Sequence, residues 1–234
     1  MANDDQLRVA QRGGARYRSV HRALLTLTAA VVGVTGYSGS ITGGSGGTTD
    51  GIYTLGFTGG TLATGGSAAT GVFVVTSGAV SAIYITSPGQ YSSAPTAFSF
   101  SACAGLSGAS ATLTSAPCAS MTWPLLTTPG QPGLFSGSRV SAIKAFTSTA
   151  FTGSPTNIYL QSGVYVNDNA YLAGTTTDVK AAGVFAPSFV TAGLPALRTI
   201  ANQLTVAIVA NGGTNVAGST EVEVEFTAPN PGGI

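Results

Sequence analysis

Charged side chains are scarce in this chain, at 7% of its 234 residues against about 25% in an ordinary soluble domain. Nine Lys+Arg against eight Asp+Glu leave a formal net charge of +1, which excludes a protein whose whole surface grips nucleic acid. Hydrophobic residues make up an ordinary 44%. Low charge with that apolar content excludes a disordered polyelectrolyte, because such chains combine high net charge with little to bury. His21 is the only histidine, so a Ser-His-Asp or Cys-His arrangement would have to recruit it from the N-terminal segment. Flanked by Val20 and Arg22, it is expected to be an interface contact instead. There is no CxxC pair, so no zinc site is expected. No heptad specifies a coiled coil, and the 33 glycines have no three-residue period, which excludes collagen.

What is present is β sequence punctuated by small residues, behind a basic start. Residues 1–36 hold Arg8, Arg12, Arg16, Arg18, His21 and Arg22. Asp4 and Asp5 suit a helix start, Gly13-Gly14 interrupts any single long helix, and Val31, Val32 and Val34 suit a strand. The expectation is a short, partly helical basic arm leading into a first strand. The order of basic residues, an apolar run from Ala23 to Val34, then small residues imitates a secretory signal. That run is about 12 residues, short of the roughly 20 that span a bilayer. With Met1 present in the sequence, the stretch is expected to belong to the mature protein. The arm lacks stacking aromatics apart from Tyr17 and lacks a membrane-lying apolar face. Arginine's bidentate grip on carboxylates makes a protein-docking arm the best fit.

Residues 37–122 read as a first β domain. Strands are expected at Ile52–Phe57, Gly71–Val75, Ala79–Ile85, Pro95–Phe100 and Ala109–Thr114, from period-2 alternation and β-branched content. Ser87-Pro88-Gly89-Gln90 is a turn, since Pro presets φ and Gly accepts positive φ. Residues 123–137 carry three prolines and form a connector, with Trp123, Leu125 and Leu126 docked on a neighbouring surface. Residues 138–234 read as a second β domain. Its expected strands are Arg139–Phe146, Asn157–Gln161, Val164–Val166, Gln203–Ala210 and Glu221–Phe226, with Asn211–Ser219 as a long hairpin loop. Val140-Ser-Ala-Ile143 repeats the residues of 80–83. The fold class is therefore all-β: two small antiparallel β-sandwich or jelly-roll-like modules behind the arm.

Few residues suggest chemistry. Glu221, Glu223 and Glu225 alternate along one strand with Val222, Val224 and Phe226 on the other face. A glycosidase needs two carboxylates converging across a sugar. These three instead read as a solvated outer face or as interface carboxylates meeting a basic partner. Asn167-Asp168-Asn169 offers oxygen ligands but lacks the calcium-loop pattern of an EF-hand, and an Asx-turn is favoured. No Gly-Lys-Ser/Thr follows a glycine run, so phosphate loops are not expected. Cys103 and Cys118 are separated by 14 residues. A disulfide there would contribute about 3 kcal/mol by restricting the unfolded chain; two buried thiols are the alternative. No cofactor, metal or catalytic residue is expected.

Two stretches resemble known modules. Gly71-Val-Phe-Val-Val75, Val80-Ser-Ala-Ile-Tyr-Ile-Thr-Ser-Pro-Gly-Gln-Tyr91, Ser93-Ala-Pro-Thr96 and Gly108-Ala-Ser-Ala-Thr-Leu113 resemble a β module of tailed-bacteriophage fibre and other virion proteins. Ala145-Phe-Thr-Ser-Thr-Ala-Phe-Thr-Gly153 and Ala217-Gly-Ser-Thr-Glu-Val-Glu-Val-Glu-Phe226 look like a β-sandwich of phage structural proteins. The resemblance implies a virion component assembled in the host cytoplasm, often a trimer, with no catalytic residues. A capsid decoration or head-fibre protein is the expectation, docking on the major capsid protein or other virion proteins through its arm. A tail-fibre or receptor-binding component is the alternative, and a secreted bacterial adhesin module the second. Neither nucleic acid nor membrane is expected as a partner.

Overall fold

The computed structural model describes residues 16–124, 139–168, 170–172, 177–187 and 203–229, and among these every regular element is a strand. In chain order they are β1 (Arg16–Leu27), β2 (Gly33–Thr42), β3 (Gly51–Thr54), β4 (Gly56–Thr58), β5 (Thr61–Leu62), β6 (Thr70–Thr76), β7 (Ala79–Ser87) and β8 (Tyr91–Ser93). There follow β9 (Ala97–Ser99), β10 (Ser110–Ala116), β11 (Cys118–Pro124), β12 (Arg139–Thr147), β13 (Asn157–Gly163), β14 (Gly183–Phe185), β15 (Gln203–Asn211) and β16 (Gly218–Pro229). All named pairings are antiparallel.

Two sheets make a sandwich: a four-stranded one in the order β1-β16-β12-β14 and a three-stranded one in the order β11-β15-β13. Their facing side chains form one core. The outer sheet contributes Leu25, Ile143, Val224 and Phe226, and the other contributes Trp123, Leu160, Val206 and Ile208. Each fully buried side chain of this kind stabilises by about 1.5–3 kcal/mol.

The segment expected to be an arm is part of this sandwich. Residues 16–27 pair along their whole length with β16, from Arg16 opposite Pro229 to Leu27 opposite Gly218. Within β1, His21, Ala23, Leu25 and Leu27 are buried while Arg22, Leu24 and Thr26 are exposed. That is the period of a half-buried strand, hidden in the sequence because Leu24 interrupts the polar face. The helical part of the expected arm finds no support: residues 16–27 are strand, and residues 1–15 lie outside the described residues. Two other readings also change. Val164–Val166 is a turn rather than a strand. Asn211–Ser219 is not a hairpin, because β15 and β16 lie in different sheets. Gly212 and Gly213 take φ of 71° and 75° there, and Val216 is driven into the sandwich core.

Residues 33–116 build a second unit from small antiparallel sheets, β2 with β10, β3-β6-β7, β4 with β9 and β5 with β8. It stands as an insert between β1 and β11, both of which belong to the sandwich. Its own core centres on Phe73, Val75, Ile83 and Ile85. Ser77 and Gly78 both have positive φ, 53° and 74°, and form the two-residue turn that joins β6 to β7 in the twist a hairpin needs. Gly89 takes φ 68°, but the turn expected at Ser87–Gln90 is not formed: residues 88–90 are an irregular link from β7 to β8, with Pro88 C=O accepting from Val34 N–H at 2.8 Å and Gln90 N–H donating to Ser67 C=O at 2.8 Å.

The repeated Val-Ser-Ala-Ile serves one device in both units. In β7 the register slips across Ser81, and in β12 across Ser141. An extra residue of this kind is a β-bulge. It lets Val80 and Ile83, and likewise Val140 and Ile143, face the same core although three residues apart.

The insert packs on the outer face of the three-stranded sheet. Leu204, Val206 and Ile208 of β15 point into the sandwich core, whereas Ala207 joins the core of the insert. Leu204-Thr-Val-Ala-Ile208 is consequently buried without interruption, as expected for a strand covered on both faces. The molecule is layered: outer sheet, middle sheet, insert.

Candidate interaction surfaces

The carboxylate row lies on the outer face of the four-stranded sheet. Strand β16 is flanked by β1 and β12, with Arg22 opposite Glu223 on one side and Lys144 opposite it on the other. Arg22 Nη2 lies 2.9 Å from Glu223 Oε2, and its Nε 3.6 Å from Glu221 Oε1. Lys144 Nζ lies 2.9 Å from Glu225 Oε1 and 3.7 Å from Glu223 Oε1. The Glu223 and Glu225 side chains are only 12% and 9% exposed. This corrects the reading of the row as a solvated face. The face is not a simply solvated one, and two of the carboxylates meet cations of their own chain, because a central strand lies within reach of the long side chains on both neighbours. Glu221 stays the most accessible of the three, at 45%.

The basic residues divide in the same way. His21 is buried, stacked on Phe226 at 4.8 Å between ring centroids and edge-on to Trp123 at 5.8 Å. Arg22 belongs to the ladder. His21 is thus packed within the sandwich core, and Arg22 meets carboxylates of its own chain. Arg16 and Arg18 enter the structure as backbone of β1, opposite Pro229 and Thr227, and Arg8 and Arg12 lie outside the described residues.

At the Glu221 end of the ladder stand three exposed apolar side chains that sequence reasoning did not single out. Leu24, Glu221, Phe146 and Val184 are successive cross-strand neighbours over β1, β16, β12 and β14. Leu24 is 66% exposed, Phe146 37% and Val184 70%. Separate stretches of chain supply them, so no local pattern announces them.

On the other side of the middle sheet, the insert is fastened by a polar clasp. Asn167 accepts a hydrogen bond from Ile85 N–H at 2.9 Å and donates one to Ile83 C=O at 2.9 Å. Val166 N–H donates to Ile85 C=O at 2.9 Å. The amide thus imitates one residue of a neighbouring strand along the free edge of β7. Tyr84 stacks on Tyr165 at 4.4 Å, and burial pushes the Tyr165 hydroxyl above its ordinary pKa. Asp168 turns back on its own loop, accepting from Val164 N–H at 2.9 Å and Ala170 N–H at 3.0 Å. That is Asx-turn behaviour; Asn169 lies outside the described residues. Beside the clasp, an open cleft of about 370 Å³ is lined by Thr35, Gly36, Tyr37, Gln161, Asn167 and Val209, none of them charged.

Cys103 and Cys118 are free, buried thiols. The disulfide considered from their spacing is not formed, because β10 lies between them as extended chain. Its seven residues span about 23 Å. Burial pushes the Cys118 thiol up to about 12. Gly33 lies against it so closely that an added Cβ would sit 2.7 Å from the sulfur. Asp178 pins residues 177–180 along β13. Burial favours its neutral form, but hydrogen bonds from Ile158 N–H, the Asn157 amide and Lys180 N–H, with the Lys180 charge, hold its carboxyl below the usual range.

Among the described residues, no group of three or more His, Cys, Asp or Glu is placed to hold a metal ion. No helix there is long and apolar enough to cross a membrane. No protein-family model, curated protein or solved structure matches the chain.

Proposed function

We propose that the chain is a structural component of a bacteriophage virion, a capsid decoration or head-fibre protein assembled in the host cytoplasm. It docks on the major capsid protein or another virion protein through its basic N-terminal segment, and works as a homo-oligomer, with a trimer preferred. The observation that carries this reading is the opposition of its two sides. The basic segment leads into β1, at the edge of the sheet that faces away from the insert. The insert, with Asp50 as its one charged residue, lies beyond the middle sheet. One side is thus suited to charge-directed docking, and the other to outward projection or close packing, since interface cores are depleted in charge. The sequence resemblance of residues 71–114 to virion β modules supports the same reading.

The test is co-sedimentation with capsids stripped of the protein. The full chain, a chain lacking residues 1–15, and Arg8→Ala/Arg12→Ala are compared. Truncation must stop before Arg16, since removing β1 would open the sandwich. Binding of the full chain at regular sites, lost in both variants, is expected. Failure of the full chain to bind overturns the head assignment. The charge-free cleft with Tyr37 favours a second reading, a tail-fibre or receptor-binding component, for which host-surface saccharides are the probe.

A further inference from the structure

Strand β1 stands apart from the strand that follows it in the chain. It pairs with β16, more than 190 residues away in sequence, and not with β2, which belongs to another sheet. Its inward side chains Ala23, Leu25 and Leu27 fill the sandwich core. Its charged tie is Arg22 to the glutamates of β16. Every one of these contacts depends on which β16 lies beside it, and none depends on which chain supplies β1.

The connection between β1 and the insert is short, exposed and strained. Val32 is already tied to Tyr91 by two backbone hydrogen bonds of 2.8 and 2.9 Å, so the link is Thr28–Val31. Thr28, Ala29 and Ala30 are all exposed, and one hydrogen bond, Val31 N–H to Thr28 C=O at 3.1 Å, closes the turn. To make that turn Ala30 takes φ 60°, a left-handed conformation that its Cβ opposes. Opening the link to an extended form relieves Ala30 and gives up that one hydrogen bond. Strained short hinges and a terminal element with a complete docking face are the conditions for exchange between copies.

We propose that β1 is exchanged between copies of this chain, each donating its β1 to the β16 edge of a neighbour. A closed ring then fills every β16 edge. The exchange hands each N-terminal basic segment to the neighbouring sandwich. It also makes the exposed apolar group composite, with Leu24 from the donor and Phe146 and Val184 from the receiver. The proposal concerns assembly and holds whichever particle or surface the protein serves, so it and the capsid-binding test fail separately.

Thr26 and Ser219 face each other across β1 and β16, which makes Thr26→Cys/Ser219→Cys a direct report. The full-length variant is oxidised at high concentration, with the wild type alongside to account for the two buried thiols, and run denatured without reductant. Covalent oligomers reducible to monomer are expected. A product linked wholly within single chains overturns the proposal, as does a wild type that is monomeric by native mass spectrometry. Ala30→Gly gives a second reading that needs no cross-link. Relief of strain in the closed form should shift the ratio of exchanged to closed protein about fivefold per protomer toward monomer. An unchanged ratio would count against exchange through this hinge.

Discussion

The sandwich and the insert reach stability by opposite means. The insert is one continuous stretch, residues 33–116, with a single charged residue, Asp50. Even that carboxylate is turned on the backbone, accepting from Ser77 N–H at 2.8 Å and Gly78 N–H at 3.0 Å to close the β6–β7 turn. The sandwich is assembled from three separated stretches, β1, β11 and the chain from β12 onward, and it sets cations against carboxylates on its outer face. A continuous unit can be positioned by its turns and cross-strand registers. A discontinuous one needs its pieces brought together in register, and the Arg22–Glu223–Lys144 ladder supplies a match that a one-residue slip along β16 would lose, since it would set both cations opposite Val222 or Val224.

The sharpest way to break this comparison is to remove residues 1–27. Loss of Ala23, Leu25 and Leu27 should destabilise the sandwich by more than about 5 kcal/mol, each large buried side chain alone being worth about 2–5 kcal/mol. Hydrogen exchange should then show β12, β15 and β16 unprotected while β6 and β7 keep their protection. Loss of protection in β6 and β7 as well would mean that the two units form one cooperative whole. Asn167→Ala should come next, at about 2 kcal/mol, because it strands Ile85 N–H and Ile83 C=O. Exchange at Ile85 would rise with both cores intact. An unchanged rate there would show that Val166 alone holds the junction.

Smaller effects distinguish the charged face from the uncharged unit. Arg22→Ala should cost about 1 kcal/mol in urea titration at low salt, and the difference should shrink at high salt. Acid should touch both units. Asp178 and Asp50 both have carboxyls held below their ordinary value. Each therefore contributes stability that is fully present above the unfolded-state value of roughly 4 and is lost as pH falls through the lowered folded value. Asp178→Asn and Asp50→Asn should flatten the fall in melting temperature below about pH 4 relative to wild type. An unaltered acid limb would refute the assignment. Finally, Cys118, pushed up to about 12, should resist alkylation in the folded protein at mildly alkaline pH, and intact mass without reductant should show two thiols. A mass two hydrogens lighter would restore the disulfide.

Most strands are legible in the amino-acid sequence, and the reason is local. Thr70–Thr76, Ala79–Ser87 and Gly218–Pro229 carry the β-branched alternation that a half-buried strand demands. The elements that sequence reasoning misses lack such a signal. In β1, Leu24 occupies an outward position and makes Ala23–Leu27 look like an uninterrupted apolar run. In β2, Gly33, Gly36 and Gly39 give little side-chain pattern at all. The carboxylates at 221, 223 and 225 do share one face as their alternation implies, but their partners Arg22 and Lys144 stand about 200 and 80 residues away. Asn167 reads as part of a turn, and nothing in its neighbours announces that its amide completes the edge of a strand in the other unit.

The amino-acid sequence by itself determined the all-β class and the face that each alternating strand would bury. These follow from steric and hydrophobic preferences acting over a few residues. Tertiary structure alone decided that the first described strand closes the last sheet and that residues 33–116 stand between two strands of one sandwich. It also decided that the outer-face charges are matched within the chain. Pairings across some 200 residues depend on which edges remain unsatisfied once the local elements have formed, and that is a property of the whole assembly rather than of any window of sequence.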